Sequence, residues 1–589
     1  MKRLRGVFPI ILFSILSLVI VFPLLPPGFI LTMDAIFTPK MPWPSLYSSS
    51  FLYESLLATL SLLFSSYWLE KMIIFLIFFL SAWGMSRLVS TDNFLGKTYA
   101  GILYAVNPFV YERLVSGQLG FLLGYSLFPF VIKATFDFFS GMNNSKALKL
   151  AILVTLMVTT AIHFVLIFAV FFLIYTVFFF SFNPKLPTSF TKLFLFLFFI
   201  FILNSNWIVP SIFGFSDVSQ AINAFSRDDL VAFQSVSDKN FGLIFNLFSG
   251  YGFWREAANY FILPKKIIFF WPLLSVFIIG LSLYGLIKIS QEKEKLLYPQ
   301  LLTFLLMFIL SLDLAGGIAL KPFAKTVYYF YEIFPPLRGL REPQKLVGII
   351  MLCYAYFGSF GLLKLSKILK NSRFIVLSLF LLLPLIYTPT VFGGFWGQLK
   401  PVFYPKSWYK VNDILKSDAD NFIVLFFPWH QYMRFNFNRN LVIANPAPYF
   451  FDKPVLSARN YETASLYSHD QRPEALHVEG LISINDAGIN RLGQKVNYRV
   501  DWSQDLAAVD IKYIILSKDS DWKKYRFLDE DGELTKEFEN DEIILYRNLS
   551  FGLEREYPEP EPSPTEATES ADLENLQIST SPAGISEEE

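Results

Sequence analysis

Residues 147–181 read ALKLAILVTLMVTTAIHFVLIFAVFFLIYTVFFFS. At about 1.5 Å per residue one helix over this tract would run beyond about 50 Å, against a hydrocarbon core of about 30 Å. The tract must therefore break, and the polar residues between Thr159 and His163 mark the place, giving two spans in a tight hairpin. The rest of the chain has the same character: 53% of it is hydrophobic and 66 residues are Phe, far above a soluble domain of this length. An integral membrane protein follows.

Outward from the hairpin, a ruler of about 20 apolar residues places further spans near 7–25, 72–89, 94–110, 118–138, 191–209, 267–288, 297–312, 345–364 and 374–392, making eleven with 147–162 and 164–182. Lys2, Arg3 and Arg5 precede the first apolar run, and no A-x-A spacing follows it, so an uncleaved signal anchor with a cytoplasmic N-terminus is expected. On that orientation the inner connections hold Arg87, Lys97, Lys146, Lys149, Lys185, Lys192, Lys288, Lys293, Lys295, Lys364, Lys367, Lys370 and Arg373, as the positive-inside rule demands. The outer connections are the long ones, 26–71, 210–266 and 313–344. Phe51–Ser66 is apolar but short and contains Glu54; it reads as an interfacial helix on the outer surface.

After Phe392 the pattern changes. Strand-like runs at Phe422–Phe427, Leu441–Ala444, Ile511–Ser517 and Glu542–Tyr546, a helical stretch around Trp408, Val411, Ile414 and Leu415, and a hairpin turn at Asp531-Gly532 predict an α/β domain. The expected organisation is a polytopic, mainly α membrane helical bundle over 1–393, an extracytoplasmic α/β domain over 394–550, and an acidic, Pro/Ser/Thr-rich disordered tail over 551–589. With one cysteine, Cys353, no intrachain disulfide and no cysteine-based metal site can form. The formal net charge of +1 and the scattered basic residues give no footprint for nucleic acid.

The span centres are almost free of ionisable residues, whereas Asp34, Glu54, Glu112, Asp313, Glu332 and Glu342 gather at the outer ends. An ion-coupled carrier places such groups near the midplane. An apolar bundle equipped at one mouth suits a reaction on a lipid-borne substrate at the outer interface. A lipid-linked glycan transporter or flippase and a non-enzymatic scaffold for surface glycan assembly are the competing classes. Asp34 is the leading residue, in the first outer loop PPGFILTMDAIFTPKMP (26–42).

Three stretches carry a resemblance: MDAIFTPKM from Met33, NPFVYERLVSGQ from Asn107 to Gln118, and PPLRGLREPQK from Pro335 to Lys345. With FFPWHQY at 426–432 and ILYRN at 544–548, they resemble the GT-C glycosyltransferase superfamily, and within it the YfhO-like, 6-pyruvoyl-tetrahydropterin-synthase-related membrane proteins. The resemblance implies a multi-pass plasma-membrane enzyme transferring a sugar from a polyprenyl-phosphate or polyprenyl-diphosphate donor to an extracytoplasmic glycan, lipid or protein acceptor. It implies Asp34 as general base, and Glu112 with Arg113 as a second acid and cation. Arg338, Arg341 and Lys345, with Arg113, are then expected at the departing lipid phosphate, where Arg clamps charge bidentately. Trp429 and His430 follow the first strand of the outer domain and are candidate acceptor contacts. Asp34, Glu112 and His163 are weak candidates for a divalent cation; no obligatory cofactor is expected, because no H-x-x-x-H or D-x-D spacing accompanies them.

Overall fold

The computed structural model describes residues 2–90, 93–183, 189–291, 297–368, 373–460, 462, 470, 472–487 and 500–553. Among them, six helices are long and apolar enough to cross a membrane: Ser66–Leu88, Leu119–Phe139, Phe164–Phe182, Trp271–Ser290, Tyr298–Ala319 and Pro343–Ile368. Two bent pairs, Phe190–Leu203 with Ser205–Ile212 (84°) and Val376–Tyr387 with Pro389–Trp396 (61°), bring the number to eight if each is one span. The chain is a multi-pass membrane protein with fewer full-length spans than the eleven read from hydropathy.

The difference has local causes. The segment 94–110 divides into helices Phe94–Ala105 and Pro108–Val115. Between them the Asn107 amide donates to the carbonyls of Leu103 and Tyr104 (2.9 and 3.0 Å) and accepts from Val110 N (3.0 Å). It closes one helix and caps the next, while Pro108 disfavours helical backbone at the residue before it. The tract 147–181 breaks between Thr160 and Phe164 as expected, but its first half, Asn144–Thr160, has only 17 residues. The apolar part of the N-terminal helix, Phe8–Leu24, is also short. Phe51–Ser61 has 11 residues, about 16 Å, with Leu52 and Leu56 exposed, as an interfacial helix requires.

Val347–Ile368 is the buried axis of the bundle, continuous apolar side chains from Val347 to Phe357 all lying inside. It meets Trp271–Ser290 at Gly361 and Gly285, where a Cβ on either would collide with backbone of the other helix; small residues permit this approach where lipid supplies no hydrophobic drive.

The C-terminal α/β region is built on a five-stranded sheet of order β4-β1-β5-β7-β6: β1 Ile423–Phe427, β4 Val455–Leu456, β5 Ile511–Ser517, β6 Leu534–Glu539 and β7 Ile543–Asn548. β1 lies parallel to β4 and β5, and β7 antiparallel to β5 and β6. Side chains alternate. Val424, Phe426, Tyr513, Ile515, Ile543 and Leu545 join the same core as Trp408 and the bundle, and Leu425, Phe427, Ile514, Leu516, Ile544 and Tyr546 form a second core on the other face. A sheet covered on both faces reads as unbroken apolar runs, which is why β1 and β5 stand out in the sequence. The β6–β7 hairpin turns at Asn540–Glu542, where the Asn540 side chain accepts from Glu542 N (3.0 Å) and Ile543 N (2.9 Å); Asp531-Gly532 instead precedes β6, so the expected turn is displaced. A separate two-stranded ribbon, β2 Tyr432–Phe435 with β3 Leu441–Ala444, leaves the sheet toward the bundle. The tail expected to be disordered lies outside the described residues from 554 onward.

Candidate active site

The first long loop, from residue 26, is pinned along its length. Phe29 exchanges backbone hydrogen bonds with Val402 (2.7 and 2.9 Å), and Ile30 N donates to the buried carboxylate of Glu70 (2.8 Å). Thr32 and Ala35 then pair across a tight turn, Ala35 N reaching Thr32 O at 2.9 Å, which puts Met33 and Asp34 at its tip. Two outside elements hold that tip. Asp34 N donates to Ser116 O (3.1 Å), and Met33 O accepts from Ala444 N at the end of β3 (2.8 Å).

The Asp34 carboxylate is gripped by Arg255: Nη1 reaches Oδ2 at 3.1 Å and Nη2 reaches Oδ1 at 3.0 Å. Oδ1 also accepts from the Tyr432 hydroxyl of β2 (2.7 Å). Arg255 stands in the turn Trp254–Ala258 of the second long loop, 210–266, buried against the Trp254 ring at 4.7 Å. Asp34 itself keeps 26% of its side chain exposed, so the acid faces open space while its cation does not. That space is a cavity of about 530 Å³ walled by Asp34, Trp254, Arg255, Arg341, Glu342 and Tyr432, with Glu462 at its edge.

Behind the wall is a charged network. Glu342 accepts from Arg113 (2.8 Å), Gln118 (3.2 Å) and Trp254 (3.3 Å), and is 3.2 Å from the Lys345 ammonium. Burial opposes its charge, but Lys345, Arg113 and Arg255 outweigh that and hold its pKa well below the usual carboxylate range. Lys345 also reaches His163 Nε2 at 2.8 Å. Burial, with Lys345 beside it, pushes the His163 imidazole well below its ordinary pKa, so it is neutral. Arg341 is half-buried on the cavity wall, over the Phe233 ring and 3.9 Å from Asp229.

The expected residues thus divide. Asp34 and Arg341 share the cavity wall; Lys345 and Arg113 stand behind it, engaged with Glu342. Arg113 pairs with Glu342 and not with its chain neighbour Glu112. Glu112 is buried, one carboxylate oxygen without a partner among the described residues, and does not line this cavity. Its electrostatic neighbours are Glu256 and Lys265, a buried pair 2.6 Å apart. Arg338 turns away and donates to Tyr331 O (3.1 Å). His163, Glu112 and Asp34 do not assemble, and among the described residues no three His, Cys, Asp or Glu are placed to hold a metal ion. Trp429 is largely buried in the second core of the α/β domain, where it lines one wall of a small cavity. His430 is more accessible, between Glu462 (2.8 Å) and Asp521 (3.0 Å), in this same cavity of about 310 Å³, which shares Glu462 with that of Asp34.

Arg255 and Tyr432 were not among the expected site residues. The sequence marks neither: Tyr432 only closes the motif at 426–432, and Arg255 is one of several basic residues in 210–266, with Arg227, Lys239, Lys265 and Lys266.

No protein-family profile matches the chain, and no curated protein matches it. The fold is similar to that of the arabinofuranosyltransferase AftD from Mycobacteria solved by cryo-EM, with a TM-score of 0.58 and 14% identity, covering 93% of this chain and 40% of that one. A mutant form of AftD gives a TM-score of 0.56 at 13% identity, covering 93% and 41%. The chain therefore spans about two fifths of the length of these structures. At such identity the likeness is one of fold.

Proposed function

We propose that the chain is a GT-C glycosyltransferase of the plasma membrane, of the YfhO-like branch, moving a sugar from a polyprenyl-phosphate donor to an extracytoplasmic acceptor. One observation carries this reading: a partly open carboxylate, Asp34, shares a cavity at one end of an apolar bundle with the cation Arg341. The likeness to an arabinofuranosyltransferase supports it. The associated topology has eleven crossings, the three shorter apolar helices included, with the N-terminus cytoplasmic and the α/β domain outside.

In this scheme the acceptor hydroxyl attacks the anomeric carbon while Asp34 takes its proton, and the bond from that carbon to the lipid phosphate oxygen breaks. Arg341 meets the charge growing on the phosphate, with Lys345 and Arg113 behind it fixing Glu342 and the wall. The Arg255 fork and Tyr432 set the direction of the carboxylate; Oδ2, with one partner among the described residues, is the oxygen that accepts the proton. His430 and Glu462 border the route by which an acceptor glycan enters. The scheme needs no metal ion.

The test uses Asp34→Asn in the full chain, assayed for transfer from a lipid-phosphate sugar. Because Arg255 is buried, removing its partner leaves an unpaired cation that itself destabilises the fold. The double variant Asp34→Asn/Arg255→Gln relieves that charge. Transfer is expected to fall about 10²-fold or more in both variants, with thermal stability recovering in the double. Activity that returns together with stability would assign the pair to structure alone.

A further inference from the structure

The helix Leu119–Phe139 has the Asp34 cavity near its first residue, and 21 residues later, about 30 Å away, a second cavity of about 500 Å³ opens at the other end of the bundle. It lies among the ends of Ser66–Leu88, Leu119–Phe139, Phe164–Phe182 and Tyr298–Gly316. Its chemistry differs from that of the span centres. Lys133 and Lys192 line it, and the ammonium group of Lys146 sits against Gly141 on its rim, 3.1 Å from where a Cβ would stand. Against these three ammonium groups the lining holds, among the described residues, one carboxylate, Asp137, half-exposed and 3.4 Å from Lys133. Gln300 adds an amide whose oxygen is engaged by Tyr356 (3.2 Å), leaving its NH₂ donors to the cavity. Tyr175, 3% exposed, lines the floor, and its hydroxyl makes no hydrogen bond to a described residue.

The surroundings of this cationic opening are apolar. Phe182, Phe190 and Phe194 are exposed (46%, 71% and 70%), on the helices that carry Asn183 and Lys192 into the lining. Leu173 and Val177 continue the exposed apolar face of Phe164–Phe182 toward the middle of the bundle. A polar, cationic recess at the end of a lipid-facing aromatic surface has the layout of an interfacial site: acyl chains along the phenylalanines, charged head in the recess.

We propose that this cavity binds the phosphodiester headgroup of an anionic membrane lipid in the leaflet opposite the Asp34 cavity. The lysines neutralise the phosphate, and Gln300 and Tyr175 donate to its oxygens or to headgroup hydroxyls. Free phosphate esters offer the same charge but no chains for the exposed phenylalanines, so the lipid is the ligand. The site is independent of sugar transfer: a lipid held here cannot be the donor at Asp34, a bundle length away.

The test is native mass spectrometry of the detergent-purified full chain titrated with dioleoyl phosphatidylglycerol, phosphatidylcholine or glycerol 3-phosphate. Phosphatidylglycerol is expected to bind in preference to both others. Lys133→Gln/Lys192→Gln is expected to weaken its binding about ten- to thirtyfold, whereas Lys288→Gln, on the same end of the bundle but outside the cavity, leaves it unchanged. Asp137→Asn removes the carboxylate paired with Lys133 and is expected to tighten binding, a gain that damage to the fold cannot produce. Equal binding of phosphatidylcholine, equal binding of glycerol 3-phosphate, an equal effect of Lys288→Gln, or no gain from Asp137→Asn would each overturn the proposal.

Discussion

Two groups near the site, Glu112 and His430, both have raised pKa values, which discharges the acid and charges the base, and each makes a prediction. Burial, then the neighbouring Glu256, pushes the Glu112 carboxyl well above its ordinary pKa; Lys265 and Arg113 pull the other way without prevailing. The site thus favours the neutral acid, of which glutamine is the near-isostere. Glu112→Gln is expected to keep stability within about 1 kcal/mol in thermal unfolding and to keep transfer near the parent rate; a tenfold or larger loss of transfer would return this residue to the chemistry. His430 behaves in reverse. Burial disfavours its charge, but the bonds to Asp521 and Glu462 outweigh burial and push its pKa up to about 9. A raised histidine contributes stability that is whole below the unfolded pKa of about 6.5 and is lost as pH rises through the folded value. The parent should thus lose melting temperature between pH 6.5 and about 9, and His430→Gln should lose distinctly less over that window. Parallel curves for the two proteins would dismiss the charged triad.

At the scale of elements, the site exists because a turn, a helix end and a ribbon meet. Gly117 follows the helix Pro108–Val115 with φ +79°, and a Cβ there would press on the backbone nitrogens of Asp34 and Ala35. Gly117→Ala should cost about 1–3 kcal/mol for the left-handed backbone alone, and displace the Asp34 turn as well. Transfer is expected to drop with donor binding less affected, measured as a fall in kcat larger than any rise in KM; unchanged kinetics would show that the turn tolerates the shift. The same elements explain what could be read in advance. β1, β3, β5 and β7 stand out as apolar runs. β6 is an edge strand whose Thr535, Lys536 and Glu537 are exposed, and β4 is two residues long, so neither has the burial that writes a pattern into sequence. The bend at Asn107 was hidden because hydropathy registers apolarity and not continuity of the helix. Asp34 and Arg341 were legible from their place at an outer helix end. Arg255 and Tyr432 were not, because they reach Asp34 from 221 and 398 residues along the chain.

For the whole molecule, orientation decides which cavity faces which compartment. The proposed orientation, N-terminus cytoplasmic and α/β domain outside, predicts that a reporter fused after residue 550 is extracytoplasmic and one inserted near residue 293 cytoplasmic, as read by impermeant labelling. The reverse pattern would put Asp34 on the wrong side for a donor exposed outside. The continuity of one apolar core through bundle and outer domain has a further consequence, in time. Asp34 leaves the ribosome some 400 residues ahead of Tyr432 and Ala444, which fasten its turn. At about 5–20 residues per second, the first loop waits about 20–80 s for its partners. Throughout that interval the first long loop is without the ribbon that holds its tip, and a chain cut short before residue 432 would never gain it.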